Sequence, residues 1–196
     1  HPDNPITVAP QANEDWVMEI RKQNDAAMRR ARGVIQEAYG DFQRIFGRHG
    51  DDPFVEDYMT DDADVILVGQ GTLSLSVKVG VRKMREQGRK VGFLRLKWFR
   101  PFPMPEVQKT LARAKAVGVV DRDYSFGAPN HAGVLYNEVR SALYDLDQRP
   151  AVVGFISGLG GREVSVDNVT EMSEILLKTA GTGRMEQPNY WIGVRG

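Results

Sequence analysis

The fold is decided by residues 64–72, which read Asp64-Val65-Ile66-Leu67-Val68-Gly69-Gln70-Gly71-Thr72. Four consecutive apolar residues are too few for a helix, but they fit a strand that is covered on both faces, as in a parallel sheet. The two glycines allow a sharp turn after the strand, and Thr72 is placed to cap a helix over residues 73–87. Gly88 is expected to end that helix. The stretch therefore predicts a strand, a tight turn and a helix.

The same unit recurs along the chain. Further strands are predicted at 91–96, 117–120 and 152–156, and further helices at about 105–114, 134–146 and 167–179. An edge strand over 54–58 would have to pair antiparallel or at the far edge, because its connection to the next strand is too short for a parallel crossover. Alternating strands and helices predict an α/β fold, a three-layer sandwich with a five-stranded, mostly parallel sheet.

The N-terminal third has a different pattern. Apolar residues recur every three or four positions from Asn13 to Gly47, which predicts one long amphipathic helix before the sandwich. About 30 helical residues would span roughly 45 Å, so the helix either packs along the sandwich or forms an arm against another domain or subunit. The predicted organisation is an extended linker at 1–12, the helix and a break at 13–53, the sandwich at 54–180 and a tail at 181–196.

Composition excludes several classes of function. The 26 basic residues balance the 26 acidic residues, so no overall field favours nucleic acid or an anionic membrane. Because cysteine is absent, the chain cannot supply a thiolate nucleophile, a disulfide or a cysteine-held cluster. The three histidines, His1, His49 and His131, are scattered. No apolar run reaches the length of about 20 residues that spans a bilayer, and we expect a cytoplasmic protein.

Charged residues follow two of the predicted strands. Arg100 lies in a stiff, proline-rich connection and could present its guanidinium at the carboxyl edge of the sheet, where open α/β folds bind ligands. The alternative is a packed connector. Asp121-Arg122-Asp123 ends another strand, and its carboxylates could act as acid, base or metal ligands. They could equally pair with each other and cap the turn.

A glycine-rich turn follows the last predicted strand. It reads Gly158-Leu159-Gly160-Gly161-Arg162, and its backbone N–H groups could hold a phosphate with Arg162 adding positive charge. Tight turning alone would also explain the glycines, since the spacing matches neither common nucleotide-binding pattern. The candidates for binding an anion or lining an interface are Arg100, Arg122, Gly160, Gly161 and Arg162.

Four blocks of sequence together resemble the alpha subunit of the pyruvate:ferredoxin and other 2-oxoacid:ferredoxin oxidoreductases. The blocks are Lys90-Val91-Gly92, Phe99-Arg100-Pro101-Phe102-Pro103, Val120-Asp121-Arg122 with Ser125-Phe126-Gly127, and Gly158-Leu159-Gly160-Gly161-Arg162. Their order and spacing agree with that family from about Pro5 to Ile175. One departure is the turn Gly69-Gln70-Gly71-Thr72, where the family commonly has a Gly-Ser pair, so no ligand role is assigned to Gln70.

The resemblance implies the C-terminal half of that subunit, with a domain similar to the C-terminal domain of transketolase. It implies a complex that oxidatively decarboxylates pyruvate or another 2-oxoacid to an acyl-coenzyme A and reduces ferredoxin or flavodoxin. Such a complex uses thiamine diphosphate, magnesium, iron–sulfur clusters and coenzyme A, none of which this chain is expected to bind. No catalytic, cofactor or metal residue is therefore assigned. The implied partners are the remaining domains or subunits, and the chain alone is expected to be inactive.

Three functions remain open at this point. The first is a structural domain that packs the thiamine-binding domains and subunits together. The second is binding of an anion, such as a coenzyme A phosphate, at the carboxyl edge of the sheet. The third is an oligomerisation module that pairs through the long helix, for example as a homo-oligomer.

Overall fold

The computed structural model describes residues 1–6, 11–48 and 52–195. They belong to two compact units, His1–His49 and Gly50–Gly196. His49 and the start of the predicted break, Gly50 and Asp51, lie outside the described residues. Within the described residues, no helix is both long and apolar enough to cross a membrane.

The first unit contains the predicted long helix, α1, which runs from Glu14 to Phe46. Glu14 and Asp15 lie in its first turn, where negative charge complements the helix dipole. Gly47 ends it in the left-handed conformation, with φ of 62°. None of the 33 residues of α1 is buried. The prediction of a long N-terminal helix is confirmed.

The second unit is an α/β sandwich around one sheet. Its strands are β1 (Val55–Tyr58), β2 (Val65–Gln70), β3 (Val91–Leu96), β4 (Ala116–Asp121), β5 (Ala151–Ile156) and β6 (Asn189–Trp191). Its helices are α2 (Leu73–Glu86), α3 (Met104–Leu111), α4 (Val134–Leu143) and α5 (Val166–Thr182). The strand order is β1-β3-β2-β4-β5-β6, and only β1 is antiparallel to its neighbour. The mostly parallel α/β sandwich and the antiparallel edge strand are confirmed.

The number of strands differs from the prediction, because the sheet has six strands and not five. The additional strand, β6, comes from the segment that was predicted to be a tail. Three residues are too few to show an alternating pattern in the sequence, and β6 is held by backbone bonds such as Gly154 N–H to Pro188 O at 2.8 Å. The sheet therefore has a sixth strand after the five that were predicted, and this strand is defined only by its pairing with β5.

Helices cover both faces of the sheet. Helices α2 and α5 pack against each other, and α3 packs against α4. The approach of α2 to α5 depends on Gly80, since a Cβ atom there would lie 2.4 Å from the side chain of Val169. The chain leaves β2 for α2 and leaves the neighbouring β4 for α4, which belongs to the other helix pair. The carboxyl ends of β2 and β4 therefore form the switch point at which open α/β sheets leave a crevice.

Candidate functional site

The crevice at the switch point has a volume of about 690 Å³. It lies between the turn after β2, the end of β4 and the first turn of α4. It is lined by Gln70, Gly71, Thr72, Leu73, Phe99, Val120, Asp121, Arg122, Asp123, Val134 and Leu135. Two of the predicted charged groups, the Asp121–Asp123 pair and Arg122, therefore share one wall.

The two carboxylates of the crevice cap helix α4. The N–H of Leu135 donates to Oδ1 of Asp121 at 3.0 Å, and the N–H of Tyr136 donates to Oδ2 at 2.9 Å. The N–H of Val134 donates to both carboxylate oxygens of Asp123 at 3.2 Å. The first N–H groups of a helix have no partner within the helix, so these carboxylates satisfy them. The structural interpretation of the acidic pair is confirmed.

Gly133 permits this cap. A Cβ atom at Gly133 would lie 2.3 Å from Cγ of Asp121, which is closer than real Cβ contacts. Any side chain at position 133 would displace the carboxylate from the end of the helix. The absence of a side chain there is thus a condition for burying Asp121, which is only 4% exposed.

Burial also changes the acidity of Asp121. Desolvation, together with a hydrogen bond to Asp123 and its charge, raises the pKa of Asp121 to about 7, against the lowering effect of the N–H groups of Tyr136 and Leu135. A buried carboxyl next to a second carboxyl is favoured in its neutral form. Near neutral pH, a larger fraction of Asp121 is therefore neutral than for an exposed aspartate.

Arg122 joins the turns that follow three strands. Its Nη1 donates to the hydroxyl of Thr72 at 3.1 Å, and its Nε donates to the carbonyl of Gly158 at 3.3 Å. The Thr72 side chain makes no capping bond to α2, which differs from the predicted role of that residue. Its hydroxyl oxygen instead accepts from the arginine. Arg122 is exposed, so the rest of its guanidinium faces solvent.

Arg100 is separated from the other candidates by its partner. Its guanidinium forms an ion pair with Glu138 of α4 and lies 4.2 Å from the ring centroid of Phe99. The charge of Arg100 is therefore balanced by a carboxylate of the same domain. Phe99 in turn lines the crevice.

The glycine-rich turn forms a short 3₁₀ segment over Leu159–Gly161. Gly158, Gly160 and Gly161 have φ of 77°, 64° and 84°, values that favour glycine. Arg162 is exposed and donates from Nη1 to the carbonyl of Gly193 at 2.7 Å. A Cβ atom at Gly158 would lie 3.0 Å from Nε of Arg122 and 3.3 Å from the carbonyl oxygen of Arg162, so the turn brings these two residues together. Anion binding by them stays a prediction.

Sequence reasoning missed an aromatic cluster beside this turn. The ring centroids of Tyr124 and Phe126 are 4.6 Å apart, and those of Tyr124 and Trp191 are 5.1 Å apart. Phe126 is 89% exposed and Trp191 is 49% exposed. Phe126 was visible as part of a sequence block, but the contact of Tyr124 with Trp191 depends on β6, whose place beside β5 no local pattern indicated.

The chain matches the family model described as "Pyruvate:ferredoxin oxidoreductase core domain II" over residues 63–169, just over half of its 196 residues. All four blocks of the resemblance lie within that range. The resemblance to this family of oxidoreductases is therefore confirmed.

Several curated proteins are similar over nearly the whole chain. Pyruvate synthase subunit PorA of Pyrococcus abyssi is 36% identical over 194 residues, which cover 99% of this chain and 48% of that protein. Ketoisovalerate oxidoreductase subunit VorA of the same organism is 35% identical over 189 residues, covering 96% of this chain and 47% of that protein. PorA of Thermotoga maritima is 36% identical over 172 residues, covering 88% and 43%. The chain thus spans about half the length of the curated relatives it matches.

Two solved structures match parts of the chain. A 2-oxoglutarate:ferredoxin oxidoreductase from Magnetococcus marinus matches with a TM-score of 0.46 and 20% identity, over 84% of this chain and 24% of that chain. A split-gene transketolase matches with a TM-score of 0.48 and 14% identity, over 63% and 41%. Because the family model matches more than half of its residues, this chain belongs to the pyruvate:ferredoxin oxidoreductase core domain II family.

Proposed function

We propose that this chain is a structural domain of a pyruvate, or other 2-oxoacid, ferredoxin oxidoreductase alpha subunit. The complex would oxidatively decarboxylate the 2-oxoacid, form the acyl-coenzyme A and reduce ferredoxin. In this proposal the domain packs the remaining domains and subunits together, and the reacting groups lie on other polypeptide. Membership of the family and the similarity to subunits of pyruvate synthase support it.

The observation that carries the proposal is the capped switch point. In open α/β domains, a ligand phosphate at such a crevice is held by the free N–H groups of a helix N-terminus. Here Asp121 and Asp123 already accept from the N–H groups of Val134, Leu135 and Tyr136. The place of a ligand anion is taken by two side chains of the domain itself, which is the arrangement expected of a supporting domain.

The crevice residues do not fit thiamine diphosphate. A diphosphate would meet two carboxylates at the end of α4, and Nε and Nη1 of Arg122, which lines the crevice, already donate to Gly158 and Thr72. Among the described residues, no group of three histidine, aspartate or glutamate side chains is placed to hold the accompanying metal ion. We therefore assign no catalytic step to this chain.

An electron-transfer assay tests the proposal. The purified chain is incubated with pyruvate, coenzyme A, thiamine diphosphate, magnesium and an oxidised viologen, and reduction is followed by absorbance. We expect no reduction by the chain alone, and turnover by the complete enzyme that contains it. Sustained turnover by the isolated chain would contradict the proposal, as would full activity of an enzyme from which this domain has been deleted.

A second candidate function is association through α1. None of the residues of this helix is buried, and its exposed apolar side chains recur at helical spacing. They include Trp16, Val17, Ile20, Met28, Val34, Phe42, Ile45 and Phe46. Exposed apolar stripes of this kind usually mark contacts with another polypeptide. In this alternative α1 is the contact that joins the domain to another chain or a second copy.

Sedimentation equilibrium separates the two candidates. If α1 pairs with a second copy, the chain should sediment as a dimer at tens of micromolar, and the double variant Trp16→Ser with Ile20→Ser should sediment as a monomer. A matched control is the double variant Arg21→Ser with Lys22→Ser, which changes polar positions of the same turn. A monomer at all concentrations would remove self-association through α1.

A further inference from the structure

The carboxyl edge of the sheet presents an aromatic surface that the proposed function does not assign. It consists of Tyr124 and Phe126, from the loop after β4, and Trp191, at the end of β6. We call these three residues the aromatic ridge. Phe126 packs edge-to-face on Tyr124 at 74°, and the ring of Trp191 is tilted by 56° to that of Tyr124. The ridge continues into a shallow pocket of about 200 Å³, lined partly by Leu159, Arg162, Trp191 and Val194.

Two of the three ridge side chains are exposed, Phe126 at 89% and Trp191 at 49%. Tyr190, the neighbour of Trp191, points into the core and packs on Phe155 with ring centroids 5.9 Å apart. Trp191 therefore lies on the opposite, outer face of β6, as alternation along a strand dictates. Phe126, at 89% exposed, contributes almost nothing to the core. Large apolar side chains held together in this way on a surface are typical of contacts with a partner.

Two arginines lie at the pocket beside the ridge: Arg162 lines it together with Trp191, and Arg122 donates to Gly158, which lines it too. In the part of the chain that the structure describes, Arg122 donates only to a hydroxyl and a carbonyl, and Arg162 donates only to the carbonyl of Gly193. Aromatic residues and arginine are the residue types enriched at the energetic centres of protein interfaces. Guanidinium groups that have no carboxylate partner and lie next to an apolar surface favour a partner with carboxylate side chains.

We propose that the aromatic ridge, with Arg122 and Arg162, is the docking surface for an apolar and acidic segment of the oxidoreductase that lies outside these 196 residues. This inference rests on the proposed function. The relatives are long enough to contain such a segment, because the matched residues make up only 48% of the P. abyssi PorA subunit. Apolar side chains of the segment cover Phe126 and Trp191, and its carboxylates bind the two guanidinium groups.

Photo-crosslinking in the complete enzyme tests the proposal. Phe126 is replaced by the photoreactive residue p-benzoylphenylalanine, the enzyme is irradiated, and the cross-linked peptides are identified by mass spectrometry. The matched control is the same replacement at Tyr144, an aromatic residue that is 70% exposed at the far end of α4. We expect position 126, and not position 144, to cross-link to a peptide from outside residues 1–196 that contains Asp or Glu.

Three results would overturn the proposal. One is equal or absent cross-linking at both positions. Another is cross-linking from position 126 only to peptides of residues 1–196, which would place a second copy or the domain itself on the ridge. The third is loss of the cross-link on adding millimolar coenzyme A, which would assign the surface to a nucleotide.

Measuring the affinity with which this domain docks in the enzyme distinguishes failure of this inference from failure of the proposed function. The double variant Phe126→Ala with Trp191→Ala should weaken docking of the domain in the complete enzyme at least tenfold, and Arg162→Glu should weaken it severalfold with a smaller dependence on salt. Tyr144→Ala should change it less than twofold. If the wild-type domain docks but all four proteins dock equally well, the ridge is not the surface while the proposed function stands. If the wild-type domain does not dock at all, both fail.

Discussion

The turns after β4 and β5 occupy neighbouring places at the carboxyl edge of one sheet, yet they are built in opposite ways. After β4, the carboxylate of Asp121 is inward, since Asp121 is 4% exposed and bonded to two N–H groups of α4. After β5, the residues of the 3₁₀ turn are exposed and Arg162 has only a carbonyl partner among the described residues. The buried carboxylate is satisfied within the domain, whereas the β5 turn, like Arg122 and Phe126 of the loop after β4, is exposed and available for contact.

The difference separates residues that stabilise this domain from residues that are available to contact a partner. A buried carboxyl must find its hydrogen bonds within the domain, because an unpaired buried polar group costs about 1–3 kcal/mol. An exposed guanidinium carries no such cost, since water solvates it. Substitutions at the buried cap formed by Asp121 are therefore expected to change mainly stability, and substitutions at the exposed β5 turn mainly binding.

The largest expected effect is at the β4 turn. Gly133→Ala places a methyl group 2.3 Å from Cγ of Asp121 before relaxation, so the carboxylate must leave the end of α4. Overpacking and lost capping bonds together should lower the free energy of unfolding by about 3 kcal/mol, as measured by urea denaturation. The matched change at the β5 turn is Gly160→Ala, where nothing lies within 4 Å but φ is 64°. Its cost should be about 1 kcal/mol, and equal losses would contradict the comparison.

The pH dependence of stability should come next in size. The pKa of Asp121 is raised by burial from 3.8 to about 7, so the folded protein holds a proton that the unfolded chain releases between these values. Its stabilising contribution is complete below pH 3.8 and is lost as the pH rises through about 7. The slope from this one group is at most about 1.4 kcal/mol per pH unit.

Asp121→Asn tests that dependence. The amide can donate to Asp123 as the shared proton does, but it accepts from only one of the two N–H groups. We expect the variant to be less stable than wild type at pH 5 and to approach it at pH 9, with a flatter profile between. The exposed Asp145→Asn serves as control and should follow the wild-type profile. Parallel profiles for wild type and Asp121→Asn would show that this carboxyl does not titrate as described.

A smaller effect is expected from the two arginines. Arg122 bonds to Thr72 and Gly158 and so joins the turns after β2 and β5, whereas Arg162 makes one exposed bond. Arg122→Ala should lower the unfolding free energy by about 1 kcal/mol, and Arg162→Ala by about 0.5 kcal/mol or less. Thermal melts followed by circular dichroism would measure both, and a larger loss for Arg162 would reverse the assignment of the two turns.

The smallest expected effect has the opposite sign. Gly181 lies in α5, and nothing lies within 4 Å of the position that a Cβ atom would take there. Alanine is favoured over glycine in a helix by about 0.5–1 kcal/mol. Gly181→Ala should therefore stabilise the domain by that amount in urea denaturation, and any loss would indicate a contact that the structure does not show.

Much of the architecture follows from local patterns in the sequence. The run Val65–Val68 predicted a strand buried on both faces, and β2 is one, with five of its six residues buried. Gly88 was expected to end α2, and it does so with φ of 75°. These features were predictable because apolar periods and positive φ are properties of the chain itself. The strand β6 was not, because its three residues become a strand only by pairing with β5.

The candidate site was predicted in part. The sequence located Asp121, Arg122 and Asp123 at the end of a strand, and it also named Arg100 as a cation at the same edge. The sequence left open whether the acidic pair acts as acid, base or metal ligands or as a cap. The cap depends on α4, whose Leu135 lies 14 residues further along the chain than Asp121. Likewise, Arg100 is balanced by Glu138, 38 residues away. Such partners are brought together by packing, and no local sequence pattern indicates them.

The sequence by itself determined the order of strands and helices, the long helix and the family, because each depends on spacing along the chain. Only the tertiary structure decided that the two carboxyl groups cap α4 in the crevice and that Tyr124 meets Trp191. Hydrogen bonds and ring contacts between residues distant in sequence depend on distances that folding alone sets. For that reason the sheet was largely predictable, while the surface at its carboxyl edge was not.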